Sequence, residues 1–583
     1  MKTRWYWRGV ALPALATCLF ALTAGPTRSA TSEDDYFSDK AEAAGLDFVQ
    51  FNGMTGKYYL AENLGGGAAL FDYDNDGDLD VFLVQGVMLG PETLADALFP
   101  PPAGKPLTDR LYRNDLVVKP DGSRAMRFVD VTESSGIHSA GYGMGVTTGD
   151  FNNDGWVDIY VNNFGKNALW RNNGDGTFTE VTDEAGVGES RFSVSSAFVD
   201  YDRDGHLDLF VVNYVNFTPE NNRICYAPNG SRDYCSPLIY EPVPDRLYHN
   251  RGDGTFEDVT EKSGVSREFG TGLGVVVADF NGDSWPDVYV ANDGKPNQLW
   301  MNQKDGTFRD GGLLSGTAVN MEGTPEASMG VDAVDIDGDG DEDLFMTHLL
   351  GETNTLYVNN GEGWFEDRTV STGLAAPSRG YTSFGTAWLD YDNDGWLDLY
   401  IGNGGVNNFL TLVLQNDPYP LHQTNQLFRN LGGGQFKEVT KQAGRVFELS
   451  EVSRGVVCGD VDNDGDADLL VVNNNGRARL LINQVGARQH WLGLRLVGRD
   501  GRDALGARVR IERPKAPPLW RRARTDGSYA SANDPRVLVG LGGARELGVL
   551  RVYWPSGRVE EWSNLAVDRY TTLREGQGRE VKS

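Results

Sequence analysis

A nine-residue pattern, D-x-[DN]-x-D-G-x-x-D, sits between apolar runs seven times in this 583-residue chain. The first copy is Asp72-Tyr73-Asp74-Asn75-Asp76-Gly77-Asp78-Leu79-Asp80, with Ala68-Ala69-Leu70-Phe71 before it and Val81-Phe82-Leu83-Val84 after it. The others start at Asp150, Asp200, Asp279, Asp335, Asp390 and Asp460. Carboxylates this close repel one another, and a free chain keeps them apart in water. A hard divalent cation reverses that sign, because Ca²⁺ takes about 6–8 oxygens at about 2.3–2.6 Å. The spacing predicts side-chain oxygens from loop positions 1, 3, 5 and 9, a backbone carbonyl from position 7, and a bend at position 6 that glycine tolerates. A single copy leaves room for an ordinary Asp-Asn-Gly turn, but seven copies argue against that. Position 12, where an EF-hand carries Glu, is Leu83 here, and the flanks read as strands rather than helices.

The expected cofactor is therefore calcium, at up to seven sites. The expected ligands are Asp72, Asp74, Asp76 and Asp80; Asp150, Asn152, Asp154 and Asp158; and Asp200, Asp202, Asp204 and Asp208. They continue with Asp279, Asn281, Asp283 and Asp287; Asp335, Asp337, Asp339 and Asp343; Asp390, Asp392, Asp394 and Asp398; and Asp460, Asp462, Asp464 and Asp468. Asn152, and Ser284 at the glycine position of the fourth copy, predict weaker binding in those two loops.

The formal charge of −30 lies largely in these loops, where bound cations would cancel much of it. It argues against a nucleic-acid partner, whose phosphates such a surface repels. Lys2, Arg4 and Arg8 precede an apolar run from Val10 to Ala24 that Gly25-Pro26 breaks, the pattern of a secretory signal over residues 1–30. The run is short for a membrane span, and no other stretch is apolar enough to be one. The mature chain is expected to be secreted, periplasmic or at the cell surface. Cys18 leaves with the signal, Cys225 and Cys235 are expected to pair, and Cys458 reads as a small buried residue.

A second motif, [DN]-x-L-aromatic-x-N, follows the loops, then often G-x-G-x-F and a Thr-rich strand ending at Gly. Examples are Asn167-Ala168-Leu169-Trp170-Arg171-Asn172 and Asp245-Arg246-Leu247-Tyr248-His249-Asn250. Each unit therefore holds four short strands, and seven such units suggest the blades of an all-β, seven-bladed β-propeller. Residues 36–45 align with the end of a repeat, residues 177–186, while the last copy lacks that end. The mature N-terminus is thus expected to complete the last blade and close the ring, leaving no sheet edge for another chain.

These loops and flanks resemble FG-GAP or VCBS repeats, the calcium-bearing blades also found in integrin α-chains. Beyond Asn483, Gly506-Ala507-Arg508-Val509, Gly527-Ser528-Tyr529-Ala530-Ser531 and Trp554-Pro555-Ser556-Gly557 resemble the ASPIC/UnbV domain. Together they are similar to bacterial relatives of the cartilage acidic protein family. The resemblance implies a propeller over residues 31–484, an ASPIC/UnbV domain over 485–577 and a tail at 578–583. No EGF-like cysteine module follows, so a matrix role does not transfer. From Gln484 onward 19 Lys and Arg face 11 Asp and Glu, so this small β-rich domain is expected either to dock on the acidic propeller or to bind an anion through Arg521, Arg522 and Arg524.

Function is expected on the face opposite the calcium loops and in the central funnel, because the long insertions at 85–107, 213–244 and 402–424 fall at connections to that face. Arg223, Tyr226, Arg232 and Tyr234 surround the proposed disulfide, and Arg379 and Arg454 enter inner strands there. The expected role is a binding or adhesion module for carbohydrate or a surface protein. The alternative is a polysaccharide lyase or hydrolase using His422 and Arg379 in the funnel. The six histidines (His138, His206, His249, His348, His422 and His490) show no metal-binding spacing.

Overall fold

A computed structural model describes residues 35–513 and 516–581; the signal segment and Cys18 lie outside the described residues. Every acidic loop joins two antiparallel strands, and each pair extends into a four-stranded antiparallel sheet. Sheet 1 runs Ala68–Phe71, Asp80–Leu83, Arg110–Asn114 and Phe128–Asp130, in that order from the axis outward. The innermost strands of sheets 2 to 7 are Tyr142–Gly149, Ser193–Val199, Gly272–Ala278, Val331–Val334, Ser383–Leu389 and Ser453–Gly459. These strands are buried on both faces, which explains their short continuous apolar runs.

The sheets follow one another in a closed, propeller-like circuit. Each innermost strand neighbours the next, and the last, Ser453–Gly459, neighbours the first. Separate apolar clusters fill the gaps. Phe71, Phe82, Ile159 and Trp170 lie between sheets 1 and 2, and Leu70, Val81, Leu470 and Leu480 between sheets 7 and 1. Sheet 7 takes its outer strand from Phe37–Asp39, which pairs with Arg479–Asn483 in the register Phe37 to Asn483.

The asparagine that ends the second motif ties the circuit together. Its backbone N–H donates to the position-9 carboxylate of its own sheet, and its side-chain amide donates to the position-2 carbonyl of the preceding sheet. Asn172 reaches Asp158 and Tyr73 O, each at 2.8 Å. Asn114 in sheet 1 reaches Val461 O of sheet 7 at 3.0 Å, which closes the series.

The Thr-rich outer strand is shorter than its sequence suggests. Phe178–Glu180 is followed by a single helical turn, Thr182–Ala185, capped by Gly186 at φ +77°. The threonine hydroxyl accepts the Leu169 N–H at 2.9 Å, so the turn folds back onto the third strand instead of extending the sheet.

The C-terminal part packs His490–Val497, Val537–Gly542 and Tyr570–Arg574 against a five-stranded sheet. That sheet includes Arg579–Glu580, residues expected in the tail, paired with Glu560 and Glu561. Leu492, Leu494, Val509, Ile511, Val539 and Val552 form its core.

Candidate metal loops and the two faces of the ring

Each loop is organised first by its own backbone. Asp72 accepts the N–H groups of Asp76 and Gly77 at 3.0 and 3.1 Å, and Asp76 accepts that of Asp78 at 2.9 Å. Asp80 accepts Tyr73 N–H at 3.0 Å and Asn114 N–H at 2.8 Å. Asp460, Asp464 and Asp468 repeat this arrangement in the seventh loop. Position 6 is left-handed in every copy, from Gly340 at φ +101° to Ser284 at +69°. Ser284 is the one position-6 residue for which that conformation is strained. Position 4 is left-handed as well, at Asn75, Asn153, Arg203, Gly282, Gly338, Asn393 and Asn463, a constraint the motif reading missed although Asn and Gly recur there.

The loops suit a hard cation. Asp72, Asp74 and Asp80 each offer an oxygen within 4.8 Å of the others, as do Asp200, Asp202 and Asp204; Asp335, Asp337 and Asp339; and Asp390, Asp392 and Asp398. At position 3, Asp74, Asp392 and Asp462 each bury an Oδ1 that has no hydrogen-bond partner, so acceptor capacity points inward without a protein donor. Burial, then neighbouring aspartates, pushes Asp462 up to about 7, and burial against the pull of Arg536 leaves Asp460 at about 7. A bound cation would supply the compensating charge, and these side chains would hold it.

The seven loops are not alike. In the second, Asn152 donates to Asp154 Oδ2 at 2.8 Å, an amide where the other position-3 residues, apart from Asn281, are carboxylates. In the fourth, Lys304 lies 3.2 Å from Asp283. In the sixth, Arg429 lies 2.6 Å from Asp392 and 3.1 Å from Asp394. In the third, His249 reaches two aspartates, so one of the scattered histidines joins a loop through the fold.

The C-terminal domain sits on this loop face. Around part of the ring, the position-4 asparagine of one loop donates to the position-6 carbonyl of the next. Asn463 reaches Gly77 O at 3.2 Å, Asn75 reaches Gly155 O at 3.0 Å, Asn153 reaches Gly205 O at 3.0 Å, and Asn393 reaches Gly465 O at 2.9 Å. The third, fourth and fifth loops carry Arg203, Gly282 and Gly338 instead. For the fourth and fifth, arginines of the C-terminal domain take over, with Arg508 donating to Gly340 O and Arg521 to Gly395 O at 3.0 Å.

The expectation of an anion site on Arg521, Arg522 and Arg524 is therefore corrected. Arg522 pairs with Glu342 at 3.2 Å, Arg524 pairs with Asp332, which is itself buried, at 2.5 Å, and Arg521 is spent on the sixth loop. These groups are consumed by docking.

The central funnel is corrected too. Residues 527–532 of the C-terminal domain enter the ring along its axis. Ser528 O accepts Val331 N–H at 3.0 Å, Ala530 O accepts Val146 N–H at 3.1 Å, and Ala532 N–H donates to Ala68 O at 2.9 Å. Tyr529 is fully buried among Met144, Leu273, Met329 and Phe384, and its hydroxyl donates to Leu64 O at 2.9 Å. The Gly-Ser-Tyr-Ala-Ser motif is a plug.

On the opposite face the insertions interlock. Asn408 N–H donates to Asp233 at 3.2 Å, Asn63 to Val406 O at 2.9 Å, and Asn222 to Lys57 O at 3.0 Å. Cys225 and Cys235 form a disulfide with their Cα atoms 5.2 Å apart. Arg223 and Tyr226 are exposed beside it, and Arg379 is exposed on the rim. Arg232 is half-buried, donating to Lys57 O at 2.8 Å and covering Tyr58.

Two of the expected ligand residues are withdrawn from solvent. Tyr234 is buried with its hydroxyl on Glu62 at 3.0 Å. Arg454 is completely buried, donating to the carbonyls of Asn63, Gly404, Ser453 and Gly405 and stacking on Phe384 at 3.9 Å. It is a strut between sheets 6, 7 and 1. His422 bonds Ser450 O at 3.1 Å and lies 3.8 Å from Asp417. Free Cys458 is in an inner strand, where burial pushes its thiol up.

Comparison with known proteins agrees with this architecture. FG-GAP-like repeat matches cover residues 150–211, 229–290, 279–346, 347–401 and 411–471, and an ASPIC and UnbV match covers 498–580. Human cartilage acidic protein 1 is 27% identical over 332 residues, which is 55% of this chain and 46% of that protein. The Xenopus tropicalis protein is 28% identical over 174 residues, covering 28% of this chain and 26% of its own length. The chain thus spans less than half the length of these curated relatives. Among solved structures, a complex of YCF48 with a D1 peptide superposes with a TM-score of 0.38 at 8% identity, covering 78% of this chain and 99% of that one. An Agrocybe aegerita lectin specific for non-reducing terminal N-acetylglucosamine gives 0.34 at 17% identity, covering 60% and 82%. With about half its length matched by the repeat and the segment after Asn483 by the second domain, this chain belongs to the FG-GAP-like repeat family and carries a C-terminal ASPIC and UnbV domain.

Proposed function

We propose that the protein is an exported, calcium-stabilised binding module that recognises another protein through the insertion face. The observation that carries this reading is the asymmetry of the ring. One face is covered by the C-terminal domain and the axis is plugged, which leaves the insertion face for a partner. That face exposes Leu94, Leu98, Ile224, Tyr226, Leu410 and Leu414 at 50–74% of their full surface, alongside Arg223 and Arg379. Exposed aliphatic side chains on the same face as an aromatic residue and arginines suit a protein surface better than a sugar ring.

The disulfide and the insertion cross-bonds hold these groups in place, which lowers the entropy cost of binding. Calcium in the loops would neutralise the opposite face and stabilise the ring, without contacting the partner.

The test pairs a glycan array with cross-linking of the purified mature protein to intact surface proteins. Tyr226→Ala and Leu414→Asp serve as interface variants. One defined protein adduct, lost in both variants with a silent array, is expected. Array binding that the variants abolish would identify carbohydrate as the ligand instead.

A further inference from the structure

We propose that the third loop is a mixed nitrogen–oxygen site, with His249 as a ligand, that prefers a divalent first-row transition ion of the Mn²⁺ to Zn²⁺ class over calcium. This rests on the reading of the loops as metal sites and separates one of them from the other six.

The third-strand residue just before the terminal asparagine of the second motif lies above the acidic loop of its own sheet. In ring order this slot holds Arg113, Arg171, His249, Met301, Val358, Arg429 and Ile482. Among these, only His249 offers a nitrogen lone pair, since guanidinium groups donate and do not ligate.

His249 Nδ1 lies 3.1 Å from Asp208 Oδ1 and 3.3 Å from Asp202 Oδ2, and the three atoms fall within one 4.8 Å cluster. Adjacent ligands around an ion with bonds of about 2.0–2.2 Å are separated by about 3 Å. A second observation lies in the same loop. Asp200 Oδ1 is buried and has no hydrogen-bond partner, and Asp200 offers an oxygen within 4.8 Å of Asp202 and Asp204, so the two groups share Asp202.

The strand supplies the aim. Pairing of Tyr248 with Leu209 and Asp258 fixes the register of Arg246–Asn250, and the imidazole packs edge-on against Tyr201 with 6.2 Å between ring centroids. His249 keeps 26% of its side chain exposed, so an ion can reach it from solvent.

Adding an imidazole to the oxygen set changes the preference. Oxygen-only sets suit Mg²⁺, Ca²⁺ and Mn²⁺, whereas imidazole raises affinity along the series toward Cu²⁺ and Zn²⁺. The charged neighbours around the loop include Asp204, Arg203 and, from the docked domain, Arg502, which lies 3.8 Å from Asp200 and 3.0 Å from Asp500.

The test uses the full mature chain, stripped with chelator, reloaded with millimolar calcium and titrated with Co²⁺. Elemental analysis gives the stoichiometry and visible d–d absorption reports the coordination. The wild type is expected to hold one equivalent of Co²⁺ against excess calcium, with nitrogen-ligand absorption. In His249→Gln, which keeps a polar side chain of similar size there, Co²⁺ affinity should fall about tenfold or more with calcium content in the other loops unchanged. Equal Co²⁺ binding by both proteins, or none in calcium excess, overturns the proposal. A sample that takes up no calcium but one His249-dependent Co²⁺ would overturn the calcium reading and leave this proposal standing.

Discussion

Glu62 is the residue whose state the fold controls most directly. It has no exposed surface, its Oε2 accepts Tyr234 O–H, and its Oε1 has no partner. Burial, only partly offset by the Tyr234 hydrogen bond, pushes its carboxyl from an ordinary 4.5 up to about 8. Between those values the folded protein keeps a proton that the unfolded chain releases, so stability falls as pH rises and the loss is complete above about pH 8. Glu62→Gln is therefore expected to melt at the wild-type temperature near pH 4.5 and several degrees above it at pH 8, as followed by calorimetry. An equal shift at both pH values would rule out this origin. Nothing in Ala61-Glu62-Asn63 announced this, because the tyrosines that enclose the carboxyl come from residues 142, 234 and 419. Arg454 was misplaced for the same reason. Sequence position puts it at the start of an inner strand on the insertion face, but the carbonyls that capture it belong to loops near residues 63 and 404.

At the scale of the element, the acidic loop was legible and its surroundings only partly so. Strand, loop, strand and the Leu-aromatic strand follow from residue types over short distances, because each loop folds on hydrogen bonds among its own nine residues. The one-turn helices after the outer strands were not legible, since four residues carry too little periodicity to separate from a strand end. Position-6 glycines share one backbone conformation but not one environment. A Cβ on Gly155 meets nothing within 4 Å, whereas one on Gly465 runs into the Trp491 ring of the C-terminal domain. Gly155→Ala is expected to cost about 1 kcal/mol of left-handed strain, and Gly465→Ala at least about twice that, because docking is disturbed as well. Denaturant melts of both variants check this; equal losses would show that Trp491 does not press on the loop in solution.

For the whole molecule, the ring, its plug and its acidic loops form one linked system. Tyr529 lies on the axis between innermost strands from several sheets, so Tyr529→Ala is expected to cost about 3–5 kcal/mol. Each loop holding calcium at a hundredfold above its Kd adds about 2.7 kcal/mol. Stripping the metal should therefore lower the melting temperature substantially. It should also speed proteolysis of the C-terminal domain, whose arginines bond to loop carbonyls. An unchanged melt and unchanged cleavage after chelation would count against both the occupied loops and their coupling to docking.

The amino-acid sequence alone determined what depends on neighbours along the chain: the acidic loops, the strands that flank them, the family and the all-β class. Tertiary structure alone decided which surface remains uncovered. A plug from residues 527–532 inside strands that begin with residue 68, arginines replacing missing asparagines across loops, and an imidazole above the third loop all join groups far apart in sequence. Such contacts follow from how the sheets close around an axis, and no local pattern of residue types encodes that closure.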